Sequence, residues 1–195
     1  PELDETTLWR LARQIASLSH QGVNREHPLL SATLPGGERV QIIAPPATRG
    51  ALALAVRKQV VAGLRLEDYA AAGALSGVQI NGDSDTEALD ERLSGLLAAG
   101  DTVGFLKLAV RSRKNIIVAG GTSTGKTTFL NALLKEIPLE ERLILIEDTP
   151  EVVIDHANAV SLLAVRGETG EARVSADDLV QASLRMRPDR IILGE

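Results

Sequence analysis

The chain has no cysteine, so disulfides and thiolate metal centres lie outside its chemistry. Aromatics are scarce at 2% of residues, which speaks against stacking on bases or sugars as a main activity. Positive charge is in deficit: 21 Lys and Arg stand against 26 Asp and Glu, a formal net charge of −5. A generally basic nucleic-acid surface is thereby disfavoured, and no direct nucleic-acid readout is predicted. No apolar run approaches the roughly 20 residues of a membrane-spanning helix. The acidic opening Pro1-Glu2-Leu3-Asp4-Glu5 has no signal-peptide pattern. A cytoplasmic location is the default expectation, with membrane attachment through partners left open. His20, His27 and His156 follow no metal-ligand spacing and are read as structural or surface residues. What is present is a globular balance, 44% hydrophobic and 24% charged over 195 residues, enough for one or two domains with a buried core.

The most informative stretch is Gly120-Gly121-Thr122-Ser123-Thr124-Gly125-Lys126-Thr127, which fits G-x-x-x-x-G-K-[ST], the phosphate-binding loop. Asn115-Ile116-Ile117-Val118-Ala119 before it reads as a buried strand, and Thr127 to Glu136 after it as a helix. A triphosphate packs several negative charges into a small volume. Glycines at 120 and 125 let the backbone bend close to it without side-chain clash, and successive N–H groups form an anion cradle. The following helix adds unpaired N–H groups and about half a positive charge. Lys126 is expected on the β- and γ-phosphates and the Thr127 hydroxyl on Mg²⁺. Gly121, Thr122, Ser123, Thr124, Gly125 and Thr128 complete the expected ATP-contacting set.

The rest of the chain divides by pattern. Leu8, Leu11, Ile15 and Leu18 line one face of a helix that Asp4 caps. Leu30, Ala32 and Leu34, then Val40 and Ile42, then Leu52, Leu54 and Val56 alternate around a Pro35-Gly36-Gly37 turn, predicting a small antiparallel sheet interrupted at Pro45-Pro46 and Gly50. Leu66 to Ala72 reads as a short helix, Asn81 to Asp85 as a polar loop. Leu89 to Leu97 and Val103 to Val110 read as two amphipathic helices parted by a Gly100-Asp101 turn. Further on, Leu143 to Ile146, Ala159 to Leu163 and Ile191 to Leu193 read as strands. A helix from Ser175 to about Arg187, with Asp178 completing a capping box, precedes the last of them. Strands alternating with helices predict a mostly parallel sheet covered by helices. The expected fold is thus α/β: an N-terminal domain with an antiparallel sheet over residues 1–100, then a phosphate-loop domain over 101–195.

Ligands of open α/β sheets bind at the carboxyl ends of the strands, and two predicted strands finish there in acids, Glu147-Asp148 and Gly194-Glu195. Glu195 is the first choice for orienting an attacking water; Glu147 and Asp148 follow, for metal contact or polarisation. Thr127, Glu195 and Glu147 are the expected Mg²⁺ partners, direct or through water. Arg57, at the end of an alternating strand, is the best candidate for an arginine that reaches phosphate, from its own chain or a neighbour's.

These residues resemble a known family. Ile116 to Thr128 resembles the Walker A segment of the bacterial secretion ATPase superfamily, Leu143 to Glu151 its acidic "Asp box", and Leu184 to Glu195 its Walker B. Leu34 to Ile42 and Ala55 to Lys58 resemble the N-terminal domain of its type IV secretion and conjugal-transfer branch. The resemblance implies a hexameric traffic ATPase at the cytoplasmic face of a bacterial inner membrane, working on inner-membrane channel proteins. It implies a RecA-like C-terminal domain with nucleotide bound between the domains. Lys126 and Thr127 then carry over as phosphate and Mg²⁺ contacts, Glu195 as the Walker B glutamate, Glu147 as the Asp-box acid, and Arg57 as an N-terminal phosphate contact. The family pattern continues into a histidine-containing box, and no histidine follows Glu195, so the C-terminal part is expected to be missing. Type II secretion and type IV pilus motors share these motifs. A DNA- or partition-type ATPase, or a non-enzymatic nucleotide-binding module, shares only the phosphate loop.

Overall fold

The computed structural model describes residues 4–58, 65–74, 84–165 and 172–194. Helix α1 (Glu5–Leu18) starts where Asp4 accepts the Thr7 N–H at 2.7 Å. Its buried face, Ala12, Ile15 and Ala16, packs on Leu30, Val40 and Ile42. Strands β1 (Leu29–Thr33), β2 (Arg39–Ile43) and β3 (Ala53–Arg57) form an antiparallel sheet in that order. α2 (Leu66–Ala71), α3 (Ser84–Ala98) and α4 (Thr102–Arg111) follow, the last capped by Asp101. Then come α5 (Lys126–Leu134), β4 (Leu143–Glu147), β5 (Ala159–Leu163), α6 (Ala176–Ser183) and β6 (Arg190–Leu193). The last three strands make a parallel sheet ordered β5-β4-β6. The mixed α/β expectation is therefore met, with one antiparallel and one parallel sheet.

β4 organises the second half. Its neighbours cover both edges and its residues Leu143 to Ile146 are all fully buried, which is why it reads as an unbroken apolar run rather than an alternation. Period two still sorts its side chains. Ile144 and Ile146 meet Leu179, Ala182 and Met186, together with Ile43, Ala47 and Ala53 of the first half. Leu143 and Leu145 meet Val110, Leu133, Leu134 and Ile137. Each such side chain stabilises the fold by about 1.5–3 kcal/mol on burial. β2 does the same work for the antiparallel sheet, turning Val40 and Ile42 toward α1 and Ile43 toward β4. One core cluster thus joins the two sheets.

Three local expectations change. Asn115 to Ala119 forms no strand, and Ile117 is 93% exposed. A strand needs a ladder partner for its N–H and C=O groups. Among the described residues, β6 pairs only with β4, and a cleft of about 560 Å³ separates its other side from Asn115, Ile116 and Val118. The polar loop expected over 81–85 gives way at Ser84, where α3 begins; Asn81 to Asp83 lie outside the described residues. α6 stops at Ser183 rather than near Arg187. Tight bonds from Arg185 N–H to Ala182 and from Met186 N–H to Ser183 finish it. Arg187 then leaves the helical region at φ 54°, and Pro188 after it disfavours a return to the right-handed helix. The capping box at the start of α6 forms as read: Ser175 Oγ accepts the Asp178 N–H at 3.1 Å, and the Asp178 carboxylate accepts the Ser175 N–H at 2.9 Å.

Candidate phosphate-binding site

The loop from Gly120 to Gly125 wraps the N-terminus of α5. Gly125, its N-cap, has φ 87° and ψ 19°, a left-handed conformation that disfavours any side chain. A Cβ at Gly120 would come within 2.7 Å of Thr124 Oγ1, so a side chain there would displace the Thr124 hydroxyl from its contact in the loop. The Thr124 hydroxyl and the Lys126 ammonium both donate to the Gly121 carbonyl, at 2.8 and 3.1 Å. No side chain caps α5, which leaves its first N–H groups without a side-chain acceptor, as an anion-binding helix terminus requires.

Across from the loop lies the carboxyl edge of the parallel sheet. Lys126, Thr127, Glu147, Asp148, Thr149 and Glu151 line a cavity of about 360 Å³ there. The Thr127 hydroxyl donates to Glu151 Oε2 at 2.9 Å. Glu147 is 3% exposed and both of its oxygens are engaged. Oε1 accepts the N–H groups of Glu151 and Val152 at 3.0 and 2.8 Å; Oε2 pairs with the guanidinium of Arg49. Arg49 also donates to the Val152 carbonyl. Asn131 of α5 accepts the Val153 N–H at 3.1 Å, so the loop after β4 is tied to the helix as well as to the strand.

β6 delivers its chain to the same edge. Leu193 is in register with Ile146, and Gly194 N–H donates to the Ile146 carbonyl at 2.8 Å. A Cβ on Gly194 would meet Glu147 Cγ at 2.8 Å, so this glycine permits the close approach. Glu195 itself lies outside the described residues. Of the residues read from the sequence, the structure therefore brings the loop 120–128, Glu147 and Asp148 together.

Arg57 is elsewhere. With Arg39, Lys58, Arg142, Arg185 and Arg187 it lines a cleft of about 770 Å³. Arg142 precedes β4 and Arg187 precedes β6, which sets this cleft at the amino ends of the parallel strands. β4 alone spans about 13 Å from that end to Glu147. Arg39 and Arg57 are direct cross-strand partners, a like-charge pairing that disfavours the sheet locally.

Two residues at the site escaped the sequence reading. Glu151 is the carboxylate that meets Thr127, and Arg49 is the first-half arginine at this edge. Glu151 sits in the run Glu147-Asp148-Thr149-Pro150-Glu151, whose proline signals a turn able to bring the last acid back toward the first. Nothing in the sequence marks Arg49; it arrives because the segment 47–49 pairs alongside β5. Leu163 N–H donates to Ala47 O and Arg49 N–H to Ser161 O, each at 3.0 Å.

The donors available suit a hard cation held jointly with phosphate. Thr127 and Glu151 offer oxygens beside the cradle, while no group of three or more His, Cys, Asp or Glu able to hold a metal occurs among the described residues. Mg²⁺ is commonly held by one or two protein oxygens plus substrate phosphates and water, which is what this set provides.

A glycine loop, an uncapped helix N-terminus and clustered acids at the carboxyl edge of a parallel sheet are the architecture on which α/β proteins bind phosphates. Comparison with known proteins is specific about the class. Residues 91–195 match the model of the type II/IV secretion system protein family, just over half of the chain, and the chain belongs to that family. It is 40% identical to the type IV secretion system protein VirB11 of Bartonella henselae, over all of this chain and 58% of that protein. To VirB11 of Brucella suis it is 41% identical, over all of this chain and 55% of that protein. The fold is shared with the crystal structure of the VirB11 ATPase from the Brucella suis type IV secretion system in complex with sulphate. The match has a TM-score of 0.85 and 38% identity, over 98% of this chain and 57% of that one. The chain thus spans somewhat over half the length of these relatives.

Proposed function

We propose that this chain is the N-terminal and phosphate-loop part of an ATP-hydrolysing motor that powers type IV secretion or conjugal transfer across the bacterial envelope. The observation that carries the reading is the pairing of an uncapped α5 N-terminus and its glycine loop with Thr127 and Glu151, whose oxygens lie 2.9 Å apart. In this reading the loop amides from Gly121 to Thr128 and the Lys126 ammonium bind the β- and γ-phosphates. Thr127 and Glu151 hold the Mg²⁺ that screens them, with Glu147 acting on the metal through water or through the loop it anchors. Mg²⁺ supplies charge neutralisation at the phosphates when bound. Glu195 orients the attacking water and takes its proton.

Residues 1–100 serve as the N-terminal domain and 101–195 as the ATPase domain. Arg57 faces the far end of the sheet from the loop of its own chain, so its phosphate contact comes from a neighbouring copy, which a ring of six supplies. The assembled motor works at the cytoplasmic face of the inner membrane on channel proteins. Similarity to VirB11 ATPases and to the family model supports this assignment over a partition-type or non-enzymatic module.

The test uses the full-length protein. Lys126→Ala is expected to abolish steady-state ATP hydrolysis, and Glu195→Gln to retain nucleotide affinity while losing most turnover. Normal turnover in Lys126→Ala would overturn the assignment.

A further inference from the structure

The mechanism above leaves Arg49 without a role, yet its side chain links the first half of the chain to the acids of the phosphate site. The segment that carries it is held rigidly. Thr48 and Leu162 form an isolated bridge, the Thr48 hydroxyl donates to Ser161 O at 3.2 Å, and the backbone bonds of Ala47 and Arg49 flank them. From this edge the guanidinium reaches Glu147, whose side chain is 2% exposed. A buried carboxylate is costly without polar partners, and both of its oxygens have them: Arg49 on one, the amides of Glu151 and Val152 on the other.

We infer that Arg49 is a positioning residue: by neutralising Glu147 from the N-terminal half, it holds the 148–152 loop so that Glu151 stands against Thr127. The contacts form an unbroken series, from the β5 edge through Arg49 and Glu147 to the loop amides, Glu151 and the first turn of α5. Because the Thr127 hydroxyl already donates to Glu151, engaging Thr127 with phosphate-bound Mg²⁺ would require it to give up or share that contact. Any shift of the loop that follows is felt by Glu147, and through Arg49 by the antiparallel sheet. The same series gives the N-terminal half a means of setting the acid's position. Arg57 has no such route, since it lies at the opposite end of the strands. The hydrolytic part of this inference rests on the ATPase reading above; the clasp itself does not.

The test again uses the full-length protein, with Arg49→Ala, Arg49→Lys and Glu147→Gln. Exchange of the Glu151 and Val152 amides is followed by hydrogen–deuterium exchange. In Arg49→Ala both amides are expected to exchange at least tenfold faster, with Arg49→Lys restoring part of the protection. Combined with Glu147→Gln, Arg49→Ala should add little further acceleration, because the two act as one unit. Turnover per folded molecule in Arg49→Ala, with the folded fraction measured by circular dichroism, is expected to fall tenfold or more with KM for ATP changed less than threefold, and Arg49→Lys to recover part of it. Should Arg49→Ala misfold, Arg49→Gln carries the same readouts, with Arg49→Lys still the partial rescue. Unchanged exchange at Glu151 and Val152, or additive effects in the double variant, would overturn the clasp while leaving the ATPase reading intact. A parent protein without ATP hydrolysis would remove the ATPase reading, and the exchange result would still decide the clasp.

Discussion

Replacing Glu141 by Gln is expected to be among the more damaging single changes outside the phosphate site. Glu141 is 6% exposed and sits where three elements begin or end. Its carboxylate receives the Nε and Nη2 groups of Arg190, at the start of β6, and Nε and Nη2 of Arg113, just beyond α4. Arg190 in turn donates to the Val110 carbonyl in α4. The two arginines differ in weight. The Arg190 side chain is 12% exposed and the Arg113 side chain 55%, so nearly all of the effect comes from Arg190. Removing one partner of a buried pair costs about 3–5 kcal/mol. Gln retains one acceptor oxygen and Arg190 keeps Val110, which brings the expected loss to about 2–3 kcal/mol. For a domain of this size that is a fall of about 5–10 °C in Tm.

The hydrogen bond from Arg190, with its charge and the contribution of Arg113, holds the Glu141 carboxyl below the usual carboxylate range. A depressed carboxylate contributes its full stability above its unfolded pKa, about 4.3, and loses it as pH falls through the lower folded value. The gap between parent and variant should therefore be constant near neutrality and close in acid. Urea melts of both proteins at a series of pH values measure this. Equal midpoints at neutral pH, or a gap that widens in acid, would show that Glu141 is not held by Arg190 as a buried pair. Lys114→Ala provides the contrast, since its pair with Asp90 leaves the two side chains 34% and 58% exposed; a cost below about 1 kcal/mol is expected.

Other outcomes follow from single contacts. Ser175→Ala removes the cap of α6 and should cost about 0.5–2 kcal/mol in thermal unfolding, with nucleotide affinity unaltered. Gly125→Ala places a side chain at φ 87°, which costs about 1–2 kcal/mol and should weaken binding of a fluorescent ATP analogue severalfold or more. Gly194→Ala drives a methyl group toward Glu147 Cγ, 2.8 Å away; turnover should fall through displacement of the acid's loop, visible as faster exchange of the Val152 amide.

Much of this protein was legible from local chemistry. Asp4 and Ser175 cap their helices as their side chains predict, because a cap needs only the next three residues. β4 was evident because an unbroken apolar run between polar turns has few alternatives. The glycine loop ahead of α5 was readable for the same reason: glycine conformations, a lysine and a hydroxyl at fixed spacing act within one turn of chain.

Other features depended on where distant segments meet. Ile116, Ile117 and Val118 have the composition of a strand, yet pairing requires a neighbour's backbone, and none of the described strands supplies it. Glu147 was recognisable as an acid at a strand end. That it is anchored by Arg49, and that Glu151 is the carboxylate beside Thr127, follows only from the docking of segment 47–49 against β5. Arg57 was read as a phosphate contact from its own chain or a neighbour's, and the direction of β3 sets it at the far end of the sheet from its own loop. Conformation over a few residues is governed by torsions and near-neighbour hydrogen bonds, which are written in order along the chain. The meeting of residues some hundred positions apart is governed by sheet order and strand direction, and those emerge only when the whole core packs.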